Sequence, residues 1–186
     1  QVHTIAEPRS ELLQGLNLQT PELFTIPAAD GFPMPAQILK PKDFDPNKPY
    51  PLIFHVYGGP SAPTVFNQRQ GSSLFYDNLL LERGFLVVKF DHRSATAISK
   101  KLENRLRLMM SGPREIEDIV DGIRWLKSQS YVDPDRVGIW GWSGGGSFTL
   151  NAMTNTTEFK AGISGAPVTD WHYYDTKWGE FAMKRP

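Results

Sequence analysis

The 186-residue chain contains no cysteine. Disulfides and thiolate metal sites are thereby excluded, while the redox compartment stays open, because a secreted protein can also lack cysteine. Net charge is absent too: 20 Lys and Arg balance 20 Asp and Glu. Nothing in that balance favours nucleic acid or an anionic membrane surface as a partner. No apolar run approaches the roughly 18 residues of a membrane span. Internal repeats and low-complexity tracts are also missing. What remains is an ordinary globular composition, 40% hydrophobic and 12% aromatic. The length suffices for one domain with a core. The chain starts Gln1-Val2-His3-Thr4-Ile5, which is neither a signal peptide nor an initiator Met. It is expected to be a processed or excised piece of something longer.

Residues 1–20 are polar with scattered apolar positions and read as a lead-in or linker from an upstream domain. Residues 22–26 and 34–40, with Asp30-Gly31 between them, predict two antiparallel edge strands. Residues 51–56 and 85–90 are apolar runs of the buried, parallel type. Residues 73–83 predict a helix that stops at Gly84. The stretch 100–110 reads as helical or irregular. Residues 113–127 give the clearest helix, with Pro113 at its first position and one stripe formed by Ile116, Ile119, Val120, Ile123 and Leu126. Asp133-Pro134-Asp135 reads as a turn, and residues 161–165 as a last short strand. Strands alternating with helices predict an α/β fold, a mostly parallel sheet with helices on both faces.

The richest stretch runs from Asp135 to Ala152, DRVGIWGWSGGGSFTLNA, and holds the G-x-S-x-G match Gly141-Trp142-Ser143-Gly144-Gly145. Residues 137–140 before it predict a short buried strand and residues 147–153 after it a helix. Strand, sharp turn and helix with Ser at the apex form the nucleophile elbow of α/β-hydrolases. Ser143 is the candidate nucleophile. A serine hydroxyl needs a positioned base to take its proton. The oxyanion that then develops needs donors aimed at it. The Gly144 N–H is one by motif geometry. The second is expected after an upstream strand, where Tyr57-Gly58-Gly59-Pro60 stands and Tyr57 offers a phenol.

The base is harder to find. In this fold the chain order is Ser, Asp or Glu, then His. After Ser143 comes His172, only one strand beyond the elbow, which reads as a surface or packing residue. His55 lies inside a strand and reads as a satisfied core or edge histidine. His92, at a strand end, remains an outsider. No base is convincingly present among them.

Several separated motifs recur in a known order: Phe54-His55-Val56-Tyr57-Gly58-Gly59-Pro60, then Asp91-x-Arg93, then residues 131–143, YVDPDRVGIWGWS, then Ala166-Pro167-Val168-Thr169-Asp170-Trp171-x-Tyr173-Tyr174-Asp175. Together they resemble the catalytic domain of the prolyl oligopeptidase family, in its dipeptidyl peptidase IV branch, over about residues 20–183. The resemblance implies a serine exopeptidase that forms an acyl-enzyme on Ser143 and releases dipeptides from free peptide N-termini, commonly after proline. It places a β-propeller before the catalytic domain; no cofactor or metal is expected. Tyr57 matches the family's oxyanion tyrosine. Tyr174 matches a pocket tyrosine, Trp178 stands where a second pocket aromatic is usual, and Val168 and Trp171 match pocket-wall positions.

Departures accompany the match. Gly144 replaces a bulky aromatic and deletes one wall of the substrate site. After the matching Asp91-x-Arg93, Ser94-Ala95-Thr96-Ala97 stands where the family usually has a glycine-rich segment. The family's catalytic Asp and His fall beyond Lys184-Arg185-Pro186. Residues 21–186 are therefore expected to be the N-terminal and central part of an α/β-hydrolase domain whose C-terminal part is missing, inactive by itself. Its last strand should lack outer neighbours. A non-catalytic hydrolase-fold module and a carboxylesterase stay open, as does a homo-oligomer. A periplasmic or extracellular site is slightly favoured over the cytoplasm.

Overall fold

The computed structural model describes residues 13, 15–59, 62–68, 71–95, 99–104 and 112–183. Six strands form one sheet: β1 (Glu22–Pro27), β2 (Pro33–Leu39), β3 (Tyr50–His55), β4 (Leu86–Phe90), β5 (Val132–Trp142) and β6 (Ala161–Gly165). Their spatial order is β1-β2-β4-β3-β5-β6. β3 runs parallel to β4 and β5, and β5 parallel to β6, while β2 is antiparallel to both of its neighbours. Only β1 is therefore an edge of the expected pair. β2 lies inside the sheet, and Met34, Ala36, Ile38 and Leu39 are all buried.

Alternation of side chains along the strands divides the interior in two. Leu52 and Phe54 of β3, Leu86, Val88 and Phe90 of β4, and Val137 and Ile139 of β5 face the larger core. Helix α3 (Pro113–Lys127) closes that core with Ile116, Ile119, Ile123 and Leu126, all at most 5% exposed. Burying each such side chain stabilises the fold by roughly 1.5–3 kcal/mol. The helix starts as its sequence predicts: Pro113 opens it, and the Gly112 N–H donates to the Glu115 carboxylate at 2.8 Å. Gly122 lets α3 sit directly on Phe90, because a Cβ there would lie 2.4 Å from the ring.

The opposite face of the sheet carries α1 (Ser73–Glu82), held by a small cluster of Leu39, Leu74, Leu81 and Val87. This layer is partly polar. Lys89 of β4 pairs with Asp77 of α1 at 2.8 Å, both essentially buried. Burial raises the Asp77 carboxyl and Lys89 opposes that. Residue Gln19 of the lead-in is tied to the same helix by a pair of bonds with Asn78.

Two expectations change at the elbow strand. β5 begins at Val132, so Asp133-Pro134-Asp135 is not a separate turn. It forms an irregularity inside the strand: Tyr50 pairs with Val132 but Leu52 pairs with Val137. Within it, Asp133 accepts from the Asp135 N–H and from Arg136 Nε. Helix α4 (Gly144–Asn155) starts three residues earlier than helix propensity suggests, immediately after Ser143. Helix α2 (Lys100–Glu103) accounts for the described part of the irregular stretch, and 105–110 lie outside the described residues. The sheet ends on β6, whose outer side has no strand neighbour among the described residues. Ile163 there is 68% exposed. A 3-10 turn (Trp171–Tyr173) and α5 (Thr176–Met183) follow.

Candidate active site

Ser143 sits between β5 and α4 with φ 55 and ψ −119. Among the described residues only Ser143 and Ala166 are non-glycine with positive φ. Such backbone costs of order 1–3 kcal/mol and persists where surrounding structure enforces it. Here the Ser143 N–H donates to the Gly165 carbonyl at 2.9 Å, one residue before Ala166, so the two strained positions are tied together. The flanking glycines explain how close the chain must turn. A Cβ on Gly141 would lie 2.5 Å from backbone atoms of Gly145 and Val56, and one on Gly145 only 2.1 Å from the Val56 carbonyl oxygen. Any side chain at either position would push the elbow off the end of β3.

One cleft brings together Tyr57, Gly59, Ser143, Gly144, Phe148, Val168, Trp171, Tyr174 and Trp178. All seven site residues expected from the sequence line it. Gly59 and Phe148 were missed. Phe148 follows Gly144 by four positions on α4, and that helical spacing was the available signal. Gly144 adds a further opening: a Cβ there would meet no atom within 4 Å.

The aromatic wall is built by the segment after β6. Trp171 and Trp178 stack at 5.6 Å and 14°, and Tyr174 meets both edge-on, at 6.2 and 5.4 Å. Val168 is fixed against α4 by Ser147, whose hydroxyl donates to the Val168 carbonyl and accepts from its N–H. Asp170 starts the 3-10 turn by accepting from the His172 N–H.

The described histidines are all engaged elsewhere. His172 is 91% exposed and paired with Asp170 at 2.7 Å, on the surface as expected. His55 stacks on Trp140 at 4.0 Å on the α1 face of the sheet. It is not satisfied by hydrogen bonds: its Nδ1 is buried without a partner among the described residues. Ring stacking, not polar pairing, holds it. Burial, aided by the Lys89 charge, lowers its pKa to about 3, so the ring is neutral. His92 is 1% exposed, and its Nε2 lies 2.7 Å from the Gly58 carbonyl oxygen. It sits behind the Tyr57 turn and not beside Ser143 as a base.

The residues flanking His92 are anchors too. Asp91 accepts from the Thr64 N–H, the Thr64 hydroxyl and the Val65 N–H, which fixes the segment after the Tyr57 turn. Burial pushes its carboxyl up, and those bonds oppose the shift. Arg93 reaches Asp118 of α3 and Asp30 of the β1–β2 turn. The Arg93 bonds hold the Asp30 carboxyl down at about 2. Thr96 and Ala97 lie outside the described residues.

The sequence profile of the prolyl oligopeptidase family matches residues 73–186. The chain belongs to the prolyl oligopeptidase family. Among curated members it is 39% identical over 168 residues to dipeptidyl peptidase 8 of Mus musculus, covering 89% of this chain and 19% of that protein. The human dipeptidyl peptidase 8 matches at the same identity and coverage. This prolyl oligopeptidase family chain thus spans about a fifth of the length of those curated relatives. The crystal structure of Porphyromonas gingivalis dipeptidyl peptidase 4 superposes with a TM-score of 0.87 at 31% identity, over 95% of this chain and 25% of that one. That superposition makes the sheet and its helices part of an α/β-hydrolase domain. No helix among the described residues is long and apolar enough to cross a membrane.

Proposed function

We propose that this chain carries the nucleophile, oxyanion hole and acyl pocket of a serine peptidase that releases dipeptides from peptide N-termini. The observation that carries the reading is the gathering of Ser143, at its positive-φ elbow, with Tyr57, Gly144 and the three-ring wall in one cleft. Ser143 Oγ attacks the carbonyl carbon of the scissile amide and gives its proton to a base. The carbonyl oxygen becomes the oxyanion. The Gly144 N–H, in the first turn of α4 where amides have no intrahelical partner, and the Tyr57 hydroxyl donate to it. Collapse breaks the C–N bond, and the leaving amine takes the proton back from the base. Water then hydrolyses the ester on Ser143 by the same steps.

The ring wall suits a flat, apolar residue before the scissile bond. Tyr174 and Trp178 meet nearly at right angles, giving one face and one edge to pack against it. The base is a histidine other than His55, His92 and His172, each of which is committed elsewhere. A β-propeller upstream of the domain would hold the substrate N-terminus. The test is fluorophosphonate labelling of the full-length protein and of Ser143→Ala. Labelling of the wild type alone is expected; equal labelling of both would sink the assignment. Comparing an alanyl-prolyl anilide with a short acyl ester separates peptidase from esterase.

A further inference from the structure

We propose that His92 is a positioning residue of the oxyanion hole: its bond to the Gly58 carbonyl fixes the turn that aims the Tyr57 hydroxyl at the acyl oxygen. The inference rests on the peptidase reading above and adds a residue to it.

A carbonyl oxygen only accepts, so the 2.7 Å contact requires the proton on His92 Nε2. The ring is 1% exposed, so water cannot replace that bond. Gly58 has φ +63, a conformation open to glycine, and its carbonyl is turned inward toward the imidazole. A Cβ on Gly58 would lie 2.7 Å from Nε2, so the turn and the ring are in direct contact. On its other faces His92 packs on Phe148 at 5.2 Å between centroids, and its Nε2 lies 3.9 Å from Glu115 of α3. Phe148 itself lines the cleft.

Tyr57 is consequently held from two sides. Gly145 at the start of α4 presses on the Val56–Tyr57 backbone from the nucleophile side. His92, two residues beyond the end of β4, holds the Gly58 carbonyl from the other side. The same strand end fixes the continuation of the loop, through Asp91 and Thr64. Tyr57 is 40% exposed on the wall of the cleft, so its backbone turn contributes to placing the ring. His92 is the buried side chain that bonds the turn directly. A displacement of about 1 Å in a catalytic group can cost about 100-fold in rate.

The experiment measures the rate of fluorophosphonate labelling at Ser143, and kcat and KM on alanyl-prolyl p-nitroanilide, in the full-length protein. His92→Leu should slow labelling and kcat by about 10- to 100-fold with KM changed less than about threefold. His92→Gln, whose amide can donate to the same carbonyl, should recover most of the rate. In a Tyr57→Phe background, His92→Leu should cost less than about threefold, because the group it positions is gone. Should His92→Leu fail to fold, His92→Met makes the same comparison. A His92→Leu or His92→Met rate equal to wild type, no recovery with Gln, or an undiminished loss in the Tyr57→Phe background overturns the proposal while leaving the peptidase reading intact. A wild-type protein that neither labels nor turns over overturns both.

Discussion

Three consecutive glycines open α4, and the structure assigns them different fates. A methyl group on Gly144 meets no atom within 4 Å. One on Gly145 would lie 2.1 Å from the Val56 carbonyl oxygen, and 3.2 Å from Tyr57 Cα. Alanine is favoured over glycine in a helix interior by about 0.8–1 kcal/mol, and less in the first turn. Gly144→Ala should therefore gain about 0.5 kcal/mol, a degree or two in Tm for a domain of this size. Gly145→Ala gains the same propensity but must open its contact by more than about 1 Å against backbone that β3 holds in the sheet. Overpacking of that kind costs about 1–3 kcal/mol, and the upper end applies where backbone must move. A fall of roughly 6–12 °C in Tm is expected. Because the displaced atoms belong to Val56 and Tyr57, labelling of Ser143 should slow as well. Thermal unfolding of the two variants beside the wild type is the assay. Equal Tm values for Gly144→Ala and Gly145→Ala would refute the close approach of α4 to β3 on which the elbow argument stands.

Two further expectations concern charge. His55 has a folded pKa of about 3 against an ordinary 6.5, lowered first by burial and then by Lys89. Between those values the unfolded chain binds a proton that the folded chain refuses. Stability is thus full above pH 6.5 and falls as pH drops toward 3, by up to about 1.4 kcal/mol per unit. Denaturant unfolding at pH 7 and 5 should show the loss in the wild type and a smaller one in His55→Phe; equal losses would contradict it. Asp118→Asn removes one carboxylate from the buried Arg93 fork. Arg93 keeps Asp30, so the loss is that of a charge-assisted hydrogen bond, about 1.5–3 kcal/mol, and Tm should fall by roughly 3–12 °C; a shift within a degree would refute the pairing.

The sequence made the elbow legible because its spacing is local. Gly141, Ser143 and Gly145 sit within five residues, and the contacts that require them involve the adjacent strand and helix. The α3 stripe was legible for the same reason, since helical periodicity is written into neighbouring residues. Ser143, Gly144 and Tyr57 follow from the elbow and its upstream turn, whereas Val168, Trp171, Tyr174 and Trp178 are legible only through separated motifs in a fixed order. What stayed hidden depends on distant partners. Arg93 with Asp30 spans 63 residues, and His92 with Gly58 spans 34. No periodicity reports such pairs. A histidine at a strand end reads as a candidate base; burial of His92 against the Gly58 carbonyl gives it a different task. The irregularity in β5 reads as a turn from sequence, since Asp-Pro-Asp carries turn chemistry wherever it occurs. The early start of α4 ran against glycine propensity and was set by tertiary packing.

The paired indoles of Trp171 and Trp178 have a consequence of another kind. Two nearly parallel ring systems 5.6 Å apart are close enough for their ultraviolet transitions to couple. They stand on the wall of the cleft that holds Ser143, with Tyr174 against both. A molecule that enters displaces water from the exposed faces of these rings and so changes their surroundings. The protein therefore carries its own optical reporter. Near-ultraviolet circular dichroism and intrinsic fluorescence can follow occupancy of the cleft in an unlabelled sample, including with compounds that are never turned over.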